Sequence, residues 1–213
     1  MKLDELVALI EALRQRAQAF ASELYQGETL ARYALIDPLL RALGWDTGDP
    51  SQVRPEYAAG NKKADYVLLD ADSSPLILLE AKKLGDKLPS IAGAAVATYA
   101  MELANQGKRV KLLATTNGLL WELYDFPNMM QPRFSFDLRK GTAAEAAYKA
   151  LGALWRPLLR PRPLLSRKEG RKESGRQMSS SGFGICSAQA LGRSLRKLPA
   201  DRRAIEARSY RRS

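Results

Sequence analysis

The sequence predicts an α/β domain, α+β in arrangement, with a central mixed β-sheet flanked by helices. Three observations point there. Apolar residues recur at helical spacing through the first forty positions; short runs dense in β-forming residues follow; helical spacing then returns between and after those runs.

Positions 3, 6, 7, 10, 13, 17, 20 and 24 are apolar. They predict an amphipathic helix from Leu3 to about Tyr25, an N-terminal element (1–27) packing on the core and ended by Gly27. Residues 29–43, TLARYALIDPLLRAL, predict a second helix closed by Gly44. Pro38 lies inside it and, having no N–H to donate, must kink the chain or begin a new turn. GWDTGDPSQ is a loop by its turn residues. VRPEY reads as a short extended segment and AAGNKKA as a turn. ADYVLLD (64–70) and PLILLEAKK (75–83), joined by ADSS, predict a hairpin. Residues 88–106 return to helix, rich in small residues and closed near Gly107. RVKLLATT (109–116) and LLWELYDF (119–126) flank Asn117-Gly118, a pair that favours a type I′ hairpin turn. FSFDL adds an edge strand, and 142–156 a closing helix ended by Pro157. Trp45, Trp121 and Tyr124 sit among apolar neighbours and read as core.

The formal net charge of +11 is unevenly placed. Residues 160–213 hold 15 basic and 4 acidic residues; residues 1–159 hold 19 of each and are neutral. The segment 159–213 is a basic, low-complexity tail whose composition predicts disorder. It reads either as a salt-sensitive phosphate-binding arm or as an extension without function. Positive surface on the body must come from clusters, and Lys62, Lys63 and Lys83 are the nucleic-acid-binding candidates.

Composition excludes much chemistry. There is no histidine, the single cysteine is Cys186, and no GxxxxGK[ST] loop occurs, so imidazole bases, zinc clusters and an ATP site are not expected. No apolar run approaches a membrane span, and the charged start is no signal peptide, which predicts a cytoplasmic protein without a membrane partner. Carboxylates and lysines remain. They suit hard cations, Mg²⁺ first and Mn²⁺ as a substitute.

One constellation fits that chemistry. Glu80 and Lys82 share a face at the end of one predicted strand, and Asp65 opens its neighbour. Folding the hairpin would gather the three at one end of the sheet. Asp65, Glu80 and the main-chain carbonyl of Ala81 would then be metal ligands, with Lys82 orienting the metal-bound water or offsetting charge on a phosphate. The tripeptide alone says little: with 23 acids and 13 lysines, about one acid-x-Lys arises by chance. A solvated strand end with surface ion pairs is the plain alternative.

The stretch from Glu28 through LIDPLLRALGWD, VRPEY, KKADYVLL, LILLEAKK and ATTNGLLWELYD resembles the N-terminal nuclease domain of type I restriction enzyme R (HsdR-type) subunits, of the PD-(D/E)xK superfamily. The resemblance implies a restriction-endonuclease-like fold over 28–158. It implies Asp65 and Glu80 as Mg²⁺ ligands, Lys82 as catalytic lysine, and Glu28, Glu56 and Tyr99 in support. It also implies DNA as substrate and restriction-modification subunits as partners. Two departures stand out: position 95 is alanine where the family often carries glutamine, and the ATPase motor of R subunits is absent from the sequence. Three functions follow as expectations: a Mg²⁺-dependent DNA endonuclease, a catalytically weak or silent binding module of the same fold, or a scaffold whose basic tail contacts nucleic acid.

Overall fold

A computed structural model describes residues 2–59, 62–91 and 94–159, apart from the side chains of Ala58, Ala59 and Lys62. The tail expected to be disordered, and Cys186 within it, lie outside the described residues.

Six strands form one sheet in sequence order: β1 (Val53–Ala59), β2 (Lys62–Leu69), β3 (Pro75–Ala81), β4 (Leu112–Thr116), β5 (Leu120–Asp125) and β6 (Phe134–Asp137). Every neighbouring pair is antiparallel except β3 and β4. A parallel pair needs a crossover, and the helix at Ala95–Asn105 supplies it. The sheet is mixed and helix-flanked, as the hydrophobic periods predict.

Alternation along the strands builds two apolar layers. Ile77, Leu79, Ala81, Leu112 and Ala114 face one cluster with α1 (Leu3–Ala19), α4 (Asp37–Ala42) and α6 (Ala143–Leu154). Leu78, Leu113 and Val67 face the other with α5 (Ala95–Asn105). Trp45 and Trp121 are fully buried in the first layer. The Trp45 indole N–H donates to the Leu154 carbonyl at 2.8 Å, and Trp121 stacks on Phe136 with centroids 6.1 Å apart. A short α7 (Arg156–Leu159) ends the described chain.

Several elements depart from expectation for local reasons. The first helix breaks at Phe20, and α2 (Ala21–Gln26) sets off anew so that the Leu24 carbonyl accepts the Leu84 N–H at 3.1 Å. Phe20, expected on the buried stripe, is exposed. The second helix is α3 (Glu28–Ala31), a π-helical turn (Arg32–Ile36) and then α4. Pro38 cannot donate to the Ala34 carbonyl four residues back. The Arg16 guanidinium donates to it instead, at 2.6 Å. β1 runs on past VRPEY to Ala59, and β2 begins at Lys62, inside the expected turn. Pro55 is tolerated because β1 is an edge strand. α5 starts at Ala95 rather than residue 88; a helix beginning at 88 is disfavoured, since Pro89 biases the preceding Leu88 away from helical geometry.

The turn at Asn117-Gly118 is not type I′. β4 ends at Thr116 and β5 begins at Leu120, which leaves a three-residue loop, and of the Asn117-Gly118 pair Gly118 alone has positive φ, +92°. The Asn117 side chain accepts the Leu119 and Leu120 N–H groups, at 3.2 and 2.9 Å, and so closes the loop.

Candidate functional site

Strand β2 loses its ladder on both edges at one residue, Asp65. On the β1 side the pairing runs through Pro55–Tyr66 and resumes at Tyr57–Ala64, skipping Glu56 opposite Asp65. Glu56 has φ +49°, a left-handed conformation costing a non-glycine residue about 1–3 kcal/mol. On the β3 side the pairing stops at Tyr66–Leu79, one step short of Asp65 and Glu80. Buried backbone groups need partners, and here side chains provide them. The Ala81 N–H donates to Asp65 Oδ2 at 2.7 Å, and Arg32 Nη2 donates to the Asp65 carbonyl at 3.2 Å.

The same splay gathers charge. Lys82 Nζ lies 2.7 Å from Glu80 Oε1 and 3.9 Å from Glu28 Oε2. The Lys82 N–H donates to the Thr116 carbonyl at 2.8 Å, tying the end of β3 to β4. Arg32 Nη1 lies 2.6 Å from Glu56 Oε1 and 3.8 Å from Asp65 Oδ1. Its guanidinium stacks over the Tyr66 ring at 4.6 Å, and the Tyr66 hydroxyl donates to Asp37 at 2.6 Å. The side chains of Asp65 and Glu80 are only 15% and 14% exposed, so solvent screens them little.

Electrostatics follow from this packing. Burial pushes the Glu28 carboxyl up, the Asp65 and Glu80 charges push it further, and Lys82 and Arg32 offset part of the rise. Burial alone would lower the Lys82 ammonium, but the Glu80 hydrogen bond and the charges of Glu80, Glu28 and Asp65 outweigh it and hold the proton. In this arrangement the charged ammonium is favoured over the neutral amine. The Lys63 hydrogen bond, then that of Arg32, holds Glu56 below the ordinary carboxylate range.

The sequence-predicted residues are thus partly assembled. Asp65, Glu80 and Lys82 meet at one end of β2 and β3, with Glu28 beside Lys82 and Glu56 reaching the group through Arg32. Lys63 is exposed but ion-paired to Glu56. Lys83 is half-buried in the loop after β3, and the side chain of Lys62 lies outside the described residues. Tyr99 is elsewhere: it is fully buried in the α5 layer, edge-on to Tyr57 at 6.4 Å. Its hydroxyl has no partner among the described residues, and burial, then Tyr57, pushes it up to about 12. Arg32 and the Tyr66–Asp37 pair were not foreseen. Arg32 stands four residues after Glu28, the spacing that places two helical side chains on one face, and that signal was present in the sequence.

Among the described residues no group of three or more Asp, Glu or Cys side chains is arranged to hold a metal ion. The donors at this site are instead two carboxylates and the Ala81 main chain, all oxygen and all hard. The ion-paired group around them holds four carboxylates (Glu28, Glu56, Asp65, Glu80) and three cations (Arg32, Lys63, Lys82), a net charge of −1. The donor type is that preferred by hard cations such as Mg²⁺ or Mn²⁺.

No family model and no curated protein matches the chain. Among solved structures it is similar to a fragment of a putative HsdR subunit of a type I restriction enzyme from Vibrio vulnificus YJ016, with 23% identity over 59% of this chain and 25% of that one, TM-score 0.38. It is similar to the DrdV–DNA complex, with 18% identity over 70% of this chain and 14% of that one, TM-score 0.43. It is also similar to the type IIG restriction endonuclease BpuSI, with 15% identity over 58% of this chain and 15% of that one, TM-score 0.37. The chain spans a quarter or less of the length of each. Among the described residues no helix is long and apolar enough to cross a membrane.

Proposed function

We propose that this chain is a Mg²⁺-dependent endonuclease-like domain of the PD-(D/E)xK type, related to type I restriction R subunits, that hydrolyses phosphodiester bonds in DNA. The observation that supports it is the interrupted ladder at Asp65, which turns a strand carboxylate toward Ala81 beside the Glu80–Lys82 pair. Asp65, Glu80 and the Ala81 carbonyl would hold Mg²⁺ or Mn²⁺. When bound, the cation would supply charge against a phosphate oxygen and acidify water. Lys82, kept protonated by Glu80, donates toward the attacked phosphate and offsets its growing negative charge. Glu80 thus has two tasks, ligand and holder of Lys82. Glu28 completes the negative wall around the ammonium. Restriction-modification subunits would supply partners, and DNA in the cytoplasm the substrate.

A second reading, a silent binding module of the same fold, is favoured by the lack, among the described residues, of three or more Asp, Glu or Cys side chains arranged to hold a metal ion. One experiment separates the two. The full chain is incubated with supercoiled plasmid in Mg²⁺, Mn²⁺ or EDTA, beside Asp65→Asn and Lys82→Ala. Metal-dependent nicking lost in both variants supports the nuclease. DNA binding without nicking supports the module, and nicking retained in both variants refutes the site.

A further inference from the structure

Arg32 occupies a position that the nuclease reading does not use. It lies on the π-helical turn between α3 and α4, and its side chain is 15% exposed. One guanidinium meets three groups: the Glu56 carboxylate at 2.6 Å, the Asp65 carbonyl at 3.2 Å, and the Asp65 carboxylate at 3.8 Å. The ring of Tyr66 lies beneath it, and Tyr66 is anchored by Asp37.

The register explains why an arginine is there. In the β1–β2 ladder, the Leu69 N–H donates to the Gln52 carbonyl at 2.8 Å. Every second pair from there exchanges hydrogen bonds in an antiparallel ladder, which makes Glu56 and Asp65 the second such pair along. The left-handed Glu56 takes that pair out of the ladder, and Arg32 Nη2 bonds the Asp65 carbonyl in its place. The fork also binds the side chain of Glu56, so the arginine's charge is answered there at closer range than at Asp65.

We infer that Arg32 is a positioning residue for Asp65. It replaces the missing ladder bond, fixes the Asp65 backbone, and through it aims the carboxylate that Ala81 N–H and a cation share. Glu56 is its counter-ion, which leaves Asp65 free to serve as a ligand. The π-helical turn sets its reach, because the extra residue in the turn rotates Arg32 relative to α4. The inference rests on the Asp65 site proposed above.

The Ala81 amide reports the position of Asp65 without metal or DNA. Hydrogen exchange of that amide is measured by NMR in the full chain for wild type, Arg32→Ala and Arg32→Lys, with the Leu123 and Ala114 amides as internal controls. Arg32→Ala should speed Ala81 exchange about tenfold with the controls unmoved. Arg32→Lys keeps the charge but not the fork, and should fall between the two. The same variants should need more Mg²⁺ for half-maximal plasmid nicking at an unchanged KM for DNA. Unchanged Ala81 exchange in both variants would overturn the inference, as would a rise in KM for DNA alone, which would make Arg32 a DNA contact. If wild type nicks no DNA, the nuclease reading falls while the exchange data still decide whether Arg32 holds Asp65.

Discussion

Gly118→Ala tests how the loop after β4 is locked to the helix that carries Arg32. Gly118 has φ +92°, where an alanine costs about 1–2 kcal/mol in backbone strain. A Cβ there would stand 2.7 Å from Leu35 Cβ and 2.8 Å from Leu35 Cδ1. Carbon atoms in contact prefer about 3.5–4.0 Å, so the overlap approaches 1 Å. Leu35 is fully buried in the π-helical turn, and its Cβ cannot move unless the turn moves. Overpacking of that kind adds about 1–3 kcal/mol. The sum is a loss of about 2–5 kcal/mol, read from urea unfolding by tryptophan fluorescence. Trp121 is a suitable reporter, since its indole N–H donates to the Gly118 carbonyl at 3.2 Å. Gly107→Ala is the control: φ is +77° but nothing lies within 4 Å of the added Cβ, so it carries the backbone cost alone. Equal losses in the two variants would refute the packing argument. A Gly118 loss well below 1 kcal/mol would refute the backbone argument as well.

Three further outcomes are expected. Tyr99→Phe removes a buried hydroxyl that has no partner among the described residues; stability should hold or rise by up to about 1 kcal/mol in thermal unfolding, and plasmid binding should not change. Trp45→Phe leaves the buried Leu154 carbonyl unpaired, and should cost about 1–3 kcal/mol in the same measurement. Burial pushes Asp137 up, but the two Arg139 hydrogen bonds at 2.9 and 2.8 Å, with the Arg139 N–H, outweigh it and hold the carboxyl below the ordinary range. Its stabilisation is therefore present above about pH 4, the unfolded value, and lost as pH falls through the lower folded one. Acid unfolding of wild type should show this step and that of Asp137→Asn should not.

The parts of the fold that were legible in the sequence are those governed by local period. Apolar recurrence at 6, 10, 13 and 17 did mark a buried helical stripe, and the run from Leu76 to Leu79 did mark a strand covered on both faces. The pairing of Glu80 with Lys82 followed from strand alternation. What period could not express were backbone states chosen by distant partners. The π-helical turn depends on Pro38 together with an arginine eighteen residues before Ala34. The left-handed Glu56 depends on Arg32 and Lys63 arriving from other elements, or from the facing strand. At Asn117-Gly118 the dipeptide pointed to a two-residue turn, but the Thr116 hydroxyl and the Asn117 side chain close a longer one. Tyr99 shows the converse: the motif position is occupied, yet the helix turns that residue into the core.

The proposed site stands on Asp65 and Glu80 sharing a cation beside Lys82. Mn²⁺ binding to the full chain, followed by electron paramagnetic resonance, reads this without any assumption about substrate. One ion per chain is expected, lost in Asp65→Asn and in Glu80→Gln and retained in Lys82→Ala. Binding that survives both carboxylate variants, or no binding in the wild type, would contradict the proposed centre.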